Sequence, residues 1–186
     1  MRVVVGITGA SGAIYALRVL EELKKRKRKV VTHLIISKNA SFIIKEECGK
    51  DPEEIEKLAD RSYENHDFSS PLASGSFKID AMIVVPCSIK TLSAIANGYA
   101  DTLISRSAIN CLKEGRKLIL VPRETPLDIA TIENMLKAKQ AGAIILPAMP
   151  AFYHKPRCIE DLVNFVVGKI LDQLGIEHNL FKRWMG

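Results

Sequence analysis

Residues 2–12 read Arg2-Val-Val-Val-Gly-Ile7-Thr-Gly-Ala-Ser-Gly12, an apolar, β-branched run that breaks into a turn of small residues. Gly12 to Lys25 follow with Ala13, Ala16, Leu17 and Leu20 on one side, the spacing of an amphipathic helix. A strand apolar at nearly every position buries both of its faces, which points to a parallel sheet covered by helices on each side. The same alternation continues along the chain. Val30 to Ser37, Ala81 to Val85, Lys117 to Val121 and Ala143 to Leu146 read as further strands. Helical patterns run through Ile43, Ile44 and Glu47, over Lys90 to Ala96, over Thr102 to Lys113 and around Ile132 to Lys139. The last helix has the strongest pattern: Ile159, Leu162, Val163, Val166, Val167, Ile170, Leu171 and Leu174 fall on one face. The expected fold is therefore a Rossmann-like (flavodoxin-like) three-layer α/β/α domain with a parallel sheet, spanning residues 1–186 as one unit. Asp67 to Lys78, rich in Ser, Gly and Pro, is either a lid or a plain connector.

Composition narrows the function. With 47% hydrophobic and 26% charged residues the chain is ordinary globular protein. No apolar run reaches the ~18 residues of a membrane span. The N-terminal glycines fit a turn better than a signal peptide, so a soluble cytoplasmic protein without a membrane partner is expected. Cys48, Cys87, Cys111 and Cys158 are widely spaced, as are the four histidines, which fits reduced thiols and no metal site. The net charge of +6 and the run Lys24 to Lys29 (KKRKRK) raise nucleic acid as a partner. That run falls where the first helix should end, where cations complement the helix dipole, and no aromatics are interleaved to stack on bases. It reads as a solvated face, and a positive protein also suits phosphorylated ligands.

In an open parallel sheet, ligands bind beyond the carboxyl ends of the strands. Thr8-Gly9-Ala10-Ser11-Gly12 offers backbone N–H groups to a phosphate, or is simply a tight turn. It is neither a Walker A loop nor G-x-G-x-x-G, since its glycines are Gly6, Gly9 and Gly12. A short-chain dehydrogenase would place Lys four residues after a Tyr. Tyr15, Tyr63, Tyr99 and Tyr153 are followed there by Val19, Asp67, Leu103 and Arg157. The second strand ends in Ser37-Lys38 rather than the carboxylate that holds a dinucleotide ribose, so FMN is expected over NAD. Pro86-Cys87-Ser88-Ile89-Lys90-Thr91 leads into a helix with two hydroxyls, either a cap or a second anion site. Val121-Pro122-Arg123-Glu124-Thr125-Pro126 boxes a cation and an acid between prolines. Pro147 to Pro156 (PAMPAFYHKP) holds an aromatic and polar tip with three prolines.

TGASGAIYA, PCSIKTLSAIANGYADTLISRSA, LILVPRETPL and LPAMPAFYHKP, in this order and spacing, resemble the UbiX family of flavin prenyltransferases over nearly the whole chain. The resemblance implies an enzyme that joins C1 of dimethylallyl phosphate to N5 of reduced FMN and closes a ring onto C6. The product is the cofactor of UbiD-type decarboxylases. It places FMN contacts on Gly9, Ala10, Ser11, Ser37, Ser88, Ile89, Lys90, Thr91 and Arg123. Tyr153 and Lys169 are placed on the donor phosphate, with Trp184 an aromatic of the tail. Arg106, Lys113, Glu47 and Glu124 match other polar active-site positions, with Glu46 adjacent as an alternative to Glu47. No D-D-x-x-D motif is present, so fixed cations (Arg106, Lys113, Arg123, Lys169) would replace magnesium. Glu124 would protonate the leaving phosphate, and Ser11 and Glu47 would move protons at the flavin. Lys113 reads equally as decoration of a helix end.

The resemblance also implies a homo-oligomer built from trimers, up to a dodecamer, and apolar Leu180, Phe181, Trp184 and Met185 near the end suit packing on a neighbour or over its site. Two rivals remain: an FMN-dependent decarboxylase of the phosphopantothenoylcysteine type, with His66 as its base, and a flavodoxin-like electron carrier. Pro150 stands where the former has Asn, and His66 reads as a surface residue.

Overall fold

A computed structural model describes residues 1–185. Among the described residues, six strands form one all-parallel sheet in the order β3-β2-β1-β4-β5-β6. The strands are β1 (Arg2–Ile7), β2 (Val31–Ile36), β3 (Arg61–Glu64), β4 (Ala81–Cys87), β5 (Lys117–Pro122) and β6 (Ile144–Ile145). The helices are α1 (Ala13–Lys24), α2 (Lys38–Cys48), α3 (Pro52–Glu56), α4 (Ile89–Ala96), α5 (Leu103–Lys113), α6 (Ile129–Gln140) and α7 (Ile159–Leu174).

β1 shows why the sheet forms. Val3, Val5 and Ile7 join one core with α1 and α7, while Val4 joins the other with α4 and α5. Side chains alternate across a strand, so an unbroken apolar run is what two covered faces require. Gly6 faces the second core, where an added Cβ would stand 3.2 Å from Ile104 Cγ2. The chain winds outward from β1 to β3, then crosses back to β4. That reversal opens a crevice between the carboxyl ends of β1 and β4.

The expected fold is the one observed, with differences of detail. β3 was not anticipated: its sequence RSYE carries one apolar residue, because an edge strand buries little. α3, opened by a capping box of Asp51 and Glu54 with Pro52 at its first position, was also missed. β6 is two residues rather than four, and α6 begins at Ile129 rather than near Ile132. On α7, Ile159 is exposed and Leu162 half-buried, so the buried face starts at Val163.

Residues 67–78 form a pinned connector. Arg106 Nε and Asn110 donate to the Ala73 carbonyl, Ser107 to that of Leu72, and Arg116 to those of Phe77 and Gly75. The basic run begins at the end of α1, as expected, but three of its members are engaged, Lys24 with the Lys57 carbonyl at 3.0 Å and two with Glu22. The buried Glu22 carboxylate holds Lys25 at 2.6 Å and Arg26 at 2.9 Å, together with Arg18 at 2.9 Å. All four cysteines are free thiols, and burial pushes Cys87 and Cys111 up to about 12. Among the described residues no helix is long and apolar enough to cross a membrane.

Candidate functional site

A cleft of about 590 Å³ lies over the crevice between β1 and β4, lined by the loops that follow β1, β2, β4 and β5. Thr8 ties its floor together: its hydroxyl donates to the Pro86 carbonyl at 2.7 Å and accepts from the Ser88 N–H at 2.7 Å. Sequence reading treated Thr8 only as part of the glycine turn. Its polar side chain, buried at a strand end, is the signal that marks it.

Four helices begin around this cleft, and they are not equivalent. α1 lacks a side-chain cap of its own; instead Glu47 Oε2, from α2, accepts the N–H groups of Gly12 and Ala13 at 2.8 and 3.0 Å. At α5, Asn65 takes the Leu103 and Ile104 N–H groups through its carbonyl and its side chain. α2 and α4 are different. Ser37 and Ser88 each cap one N–H, of Ala40 and Thr91. Among the described residues no protein acceptor takes the N–H groups of Lys38, Asn39, Ile89 or Lys90. Two helix N-termini therefore present free donors to one cleft, the arrangement that binds a phosphorylated ligand.

This corrects one expectation. The N–H groups at the start of α1 are occupied by Glu47 and that of Ala10 donates to the Thr8 carbonyl at 2.9 Å, so among the described residues the N–H groups the glycine turn leaves free are those of Gly9 and Ser11. Gly9 matters for a further reason: a Cβ there would lie 2.6 Å from Asn39 Cβ. Gly12 adopts φ 106° and packs under the Tyr15 ring, where a Cβ would meet Cδ2 at 2.9 Å.

Three cations line the cleft, Lys38, Lys90 and Arg123, and the Arg123 Nε is buried without a partner. A buried unpartnered donor is costly unless a ligand completes it. The free donors at α2 and α4, the Gly9 cradle and this Nε together fit FMN. Lys90 contributes differently from what its charge suggests, because its ammonium is paired with Asp101. Its backbone N–H is the part that is free.

Arg123 also acts on its neighbours. Burial pushes the Tyr15 hydroxyl above the ordinary phenol range, and the Arg123 charge pulls it partly back. Tyr15 was not singled out in the sequence, though it stands three residues after Gly12 on the first turn of α1. Desolvation would raise Glu47, yet hydrogen bonds from Ser11, Gly12 and Ala13, with the Arg123 charge, outweigh it and hold the carboxyl below its ordinary value. Of the two adjacent acids, Glu47 is thus the one that faces the glycine turn. Glu124 is exposed on the cleft wall, with Oε1 accepting its own neighbour's N–H, that of Thr125, at 3.0 Å. His66 is exposed, as read, but stands on the rim of this same cleft.

The other anticipated residues lie elsewhere in the chain. Arg106 and Lys113 line a separate cleft of about 660 Å³ against the 67–78 connector. Lys113 ends α5 and sits 3.6 Å from Glu114. Tyr153 and Trp184 meet edge to face at 5.7 Å beside a smaller pocket of about 170 Å³ that Arg183 also lines. Lys169 lies on α7, one turn beyond Phe165, on which Tyr153 packs. One chain thus assembles the FMN-sized cleft but does not bring Arg106 or Lys113 to it.

Comparison with known proteins gives this geometry its context. A family model described as Flavoprotein matches residues 1–171. The flavin prenyltransferase UbiX of Methanocaldococcus jannaschii is 59% identical over 184 residues, covering 99% of this chain and 98% of that protein.

The chain belongs to the UbiX flavin prenyltransferase family.

Solved structures agree. AnUbiX (PadA1), crystallised with FMN and dimethylallyl pyrophosphate, is 48% identical with a TM-score of 0.95, covering 100% of this chain and 97% of that one. A dodecameric FMN-dependent UbiX-like decarboxylase from Escherichia coli O157:H7 is 46% identical with a TM-score of 0.97, covering all of both chains. The peptidyl-cysteine decarboxylase EpiD, at 18% identity and a TM-score of 0.64, shares the fold alone.

Proposed function

We propose that this UbiX-family enzyme transfers the dimethylallyl group of dimethylallyl phosphate to reduced FMN, and that the prenylated flavin goes on to a UbiD-type decarboxylase. The observation that carries the reading is the cleft over β1 and β4, where two helix N-termini with free N–H groups converge with the partnerless Arg123 Nε. The FMN contacts would be the backbone of Gly9, Ala10, Ser11, Ile89 and Lys90, the hydroxyls of Ser37, Ser88 and Thr91, and the Arg123 guanidinium. Bound reduced FMN supplies the electron-rich ring that accepts the prenyl carbon.

What the chain must supply is help for the leaving group. Breaking an allylic C–O bond releases phosphate, whose growing negative charge needs fixed positive partners and a proton. Tyr153 and Lys169 would hold that phosphate by hydrogen bond and charge. Glu124, with one carboxylate oxygen uncommitted, would deliver the proton. Ser11 and Glu47, which share a hydrogen bond, would move protons at the flavin edge.

Arg106 and Lys113 enter this scheme through assembly. They lie in a cleft of their own, and α6 exposes Ile129, Ile132 and Leu136 along one face. Apolar stripes of that kind are covered in oligomers. We place Arg106 and Lys113 at the active site of an adjoining copy in a trimer-based homo-oligomer, with dodecamer as its full form.

The test is mass analysis of the flavin after incubation with reduced FMN and dimethylallyl phosphate in a chelator. A flavin heavier by one prenyl unit is expected. Unmodified flavin with release of carbon dioxide from a cysteinyl substrate would overturn the reading, and a strict need for added magnesium would overturn the metal-free phosphate clamp.

A further inference from the structure

The residues after α7 fold back along it. Gly175, in the left-handed region at φ 71°, ends the helix, and the chain returns beneath its own last turns. Gly168 provides the space. An added Cβ there would lie 2.5 Å from Phe181 Cε1 and 2.6 Å from His178 Cε1, so the helix surface carries a notch filled by tail aromatics.

One turn further along, Asp172 gathers the polar groups. Arg183 grips its two oxygens at 2.7 and 3.1 Å, His178 Nε2 lies 3.2 Å away, and Lys169 Nζ 3.8 Å away. Forked Arg–carboxylate pairs fix direction as well as distance. The Arg183 hydrogen bond holds the Asp172 carboxyl below its ordinary range.

Beside this clamp runs a ladder of rings. Phe181 tilts against Phe165 at 4.8 Å, His154 stacks on Phe165 at 5.3 Å, and Tyr153 meets Phe165 and Trp184 edge to face at 5.9 and 5.7 Å. Both nitrogens of His154 are buried without a partner, so that ring serves as an aromatic plate despite the cost of desolvating it.

From these contacts we infer that Asp172 is a positioning residue for the donor-phosphate site: by clamping Arg183 and Lys169 together it seats the tail with Trp184 against Tyr153. The inference rests on the reading that Tyr153 and Lys169 hold the donor phosphate. Electrostatics alone argues the other way, since removing a carboxylate beside cations should strengthen phosphate binding. The two accounts therefore differ in sign.

Trp184 is the only tryptophan in the chain, so its fluorescence anisotropy reports tail docking directly in the assembled enzyme. Asp172→Ala removes the clamp, and Gly168→Ala blocks the notch without touching any charge. Both should lower the anisotropy and raise KM for dimethylallyl phosphate by roughly 3- to 10-fold, the scale of one charge-assisted pair. FMN affinity should stay unchanged, and Asp172→Glu, which keeps the carboxylate, should recover most of the loss. Unchanged anisotropy, or a KM that stays constant or falls as the anisotropy drops, would overturn the inference. Tyr153→Phe separates the levels: if that variant raises KM and neither tail variant does, only the clamp is wrong. If Tyr153→Phe has no effect on KM, the donor-site reading itself fails.

Discussion

Around Arg123, polar groups are set by strand ends and by the first turns of helices, all anchored in one sheet. Around Tyr153, they depend on a proline-rich loop and on a tail returning from the far end of α7. The first region borrows the rigidity of two buried cores. The second is held by one ionic clamp, one notch and a stack of rings, with Trp184 and Met185 still exposed. A site for a ligand that must be gripped can be built into the sheet. If Tyr153 takes the donor phosphate, as proposed, the site from which phosphate leaves is the one built from elements of lower local stability. The apolar tail divides in the same way: Leu180 and Phe181 pack on their own α7, while Trp184 and Met185 stay open to whatever adjoins them.

The sharpest way to break this contrast is at Glu124, where the two regions' chemistry would meet. Glu124→Gln keeps size and hydrogen bonding but removes the acid. Turnover should fall on the order of 10²–10⁴-fold while FMN occupancy persists. Equal loss of FMN would show that Glu124 serves to hold FMN rather than to deliver the proton.

Next comes division of the site between copies. Lys113→Ala and Arg123→Ala oligomers should each be nearly inactive. Dissociated and reassembled together, they should regain about a quarter of normal activity, because random mixing leaves both halves of a site intact that often. No recovery on verified mixing would place Lys113 outside a neighbour's site.

A smaller effect is expected at Gly9. Gly9→Ala drives a methyl group to 2.6 Å from Asn39 Cβ, so the loop must shift away from the ligand. FMN affinity should fall roughly 10-fold, the factor that about 1.4 kcal/mol of lost binding produces. Asn39→Gly in the same chain should restore it. Isothermal titration of the two variants decides the point, and failure of the rescue would mean that the close packing is incidental.

The smallest effect concerns Glu47, whose folded carboxyl is held below its ordinary value. Its stabilising contribution is fully present above the unfolded carboxylate pKa and is lost as pH falls through the lower folded one. Glu47→Gln should therefore lower stability at neutral pH by less than about 1 kcal/mol, given its exposure, and the difference should vanish in acid. Thermal melts at several pH values test this. A pH-independent difference would deny that the ionised carboxylate caps α1.

Much of this was legible beforehand where the pattern is local. The apolar run of β1, the face of α7 from Val163 onward and the hydroxyls that open α2 and α4 each act within a few residues. β3 escaped because an edge strand needs no apolar alternation, and Tyr15 and Thr8 escaped because their partners are distant in sequence.

The sequence by itself determined the layered parallel fold and the family, since periodicity and motif spacing are properties of the chain. The tertiary structure alone decided which helix N-termini stay open. Glu47 closes α1 from 34 and 35 residues away and Asn65 closes α5 from 39, while α2 and α4 keep donors free. It also decided that Lys90 spends its charge on Asp101, and that Arg106 and Lys113 stand apart from Arg123. Whether a donor is free depends on what folds against it, and only packing fixes that.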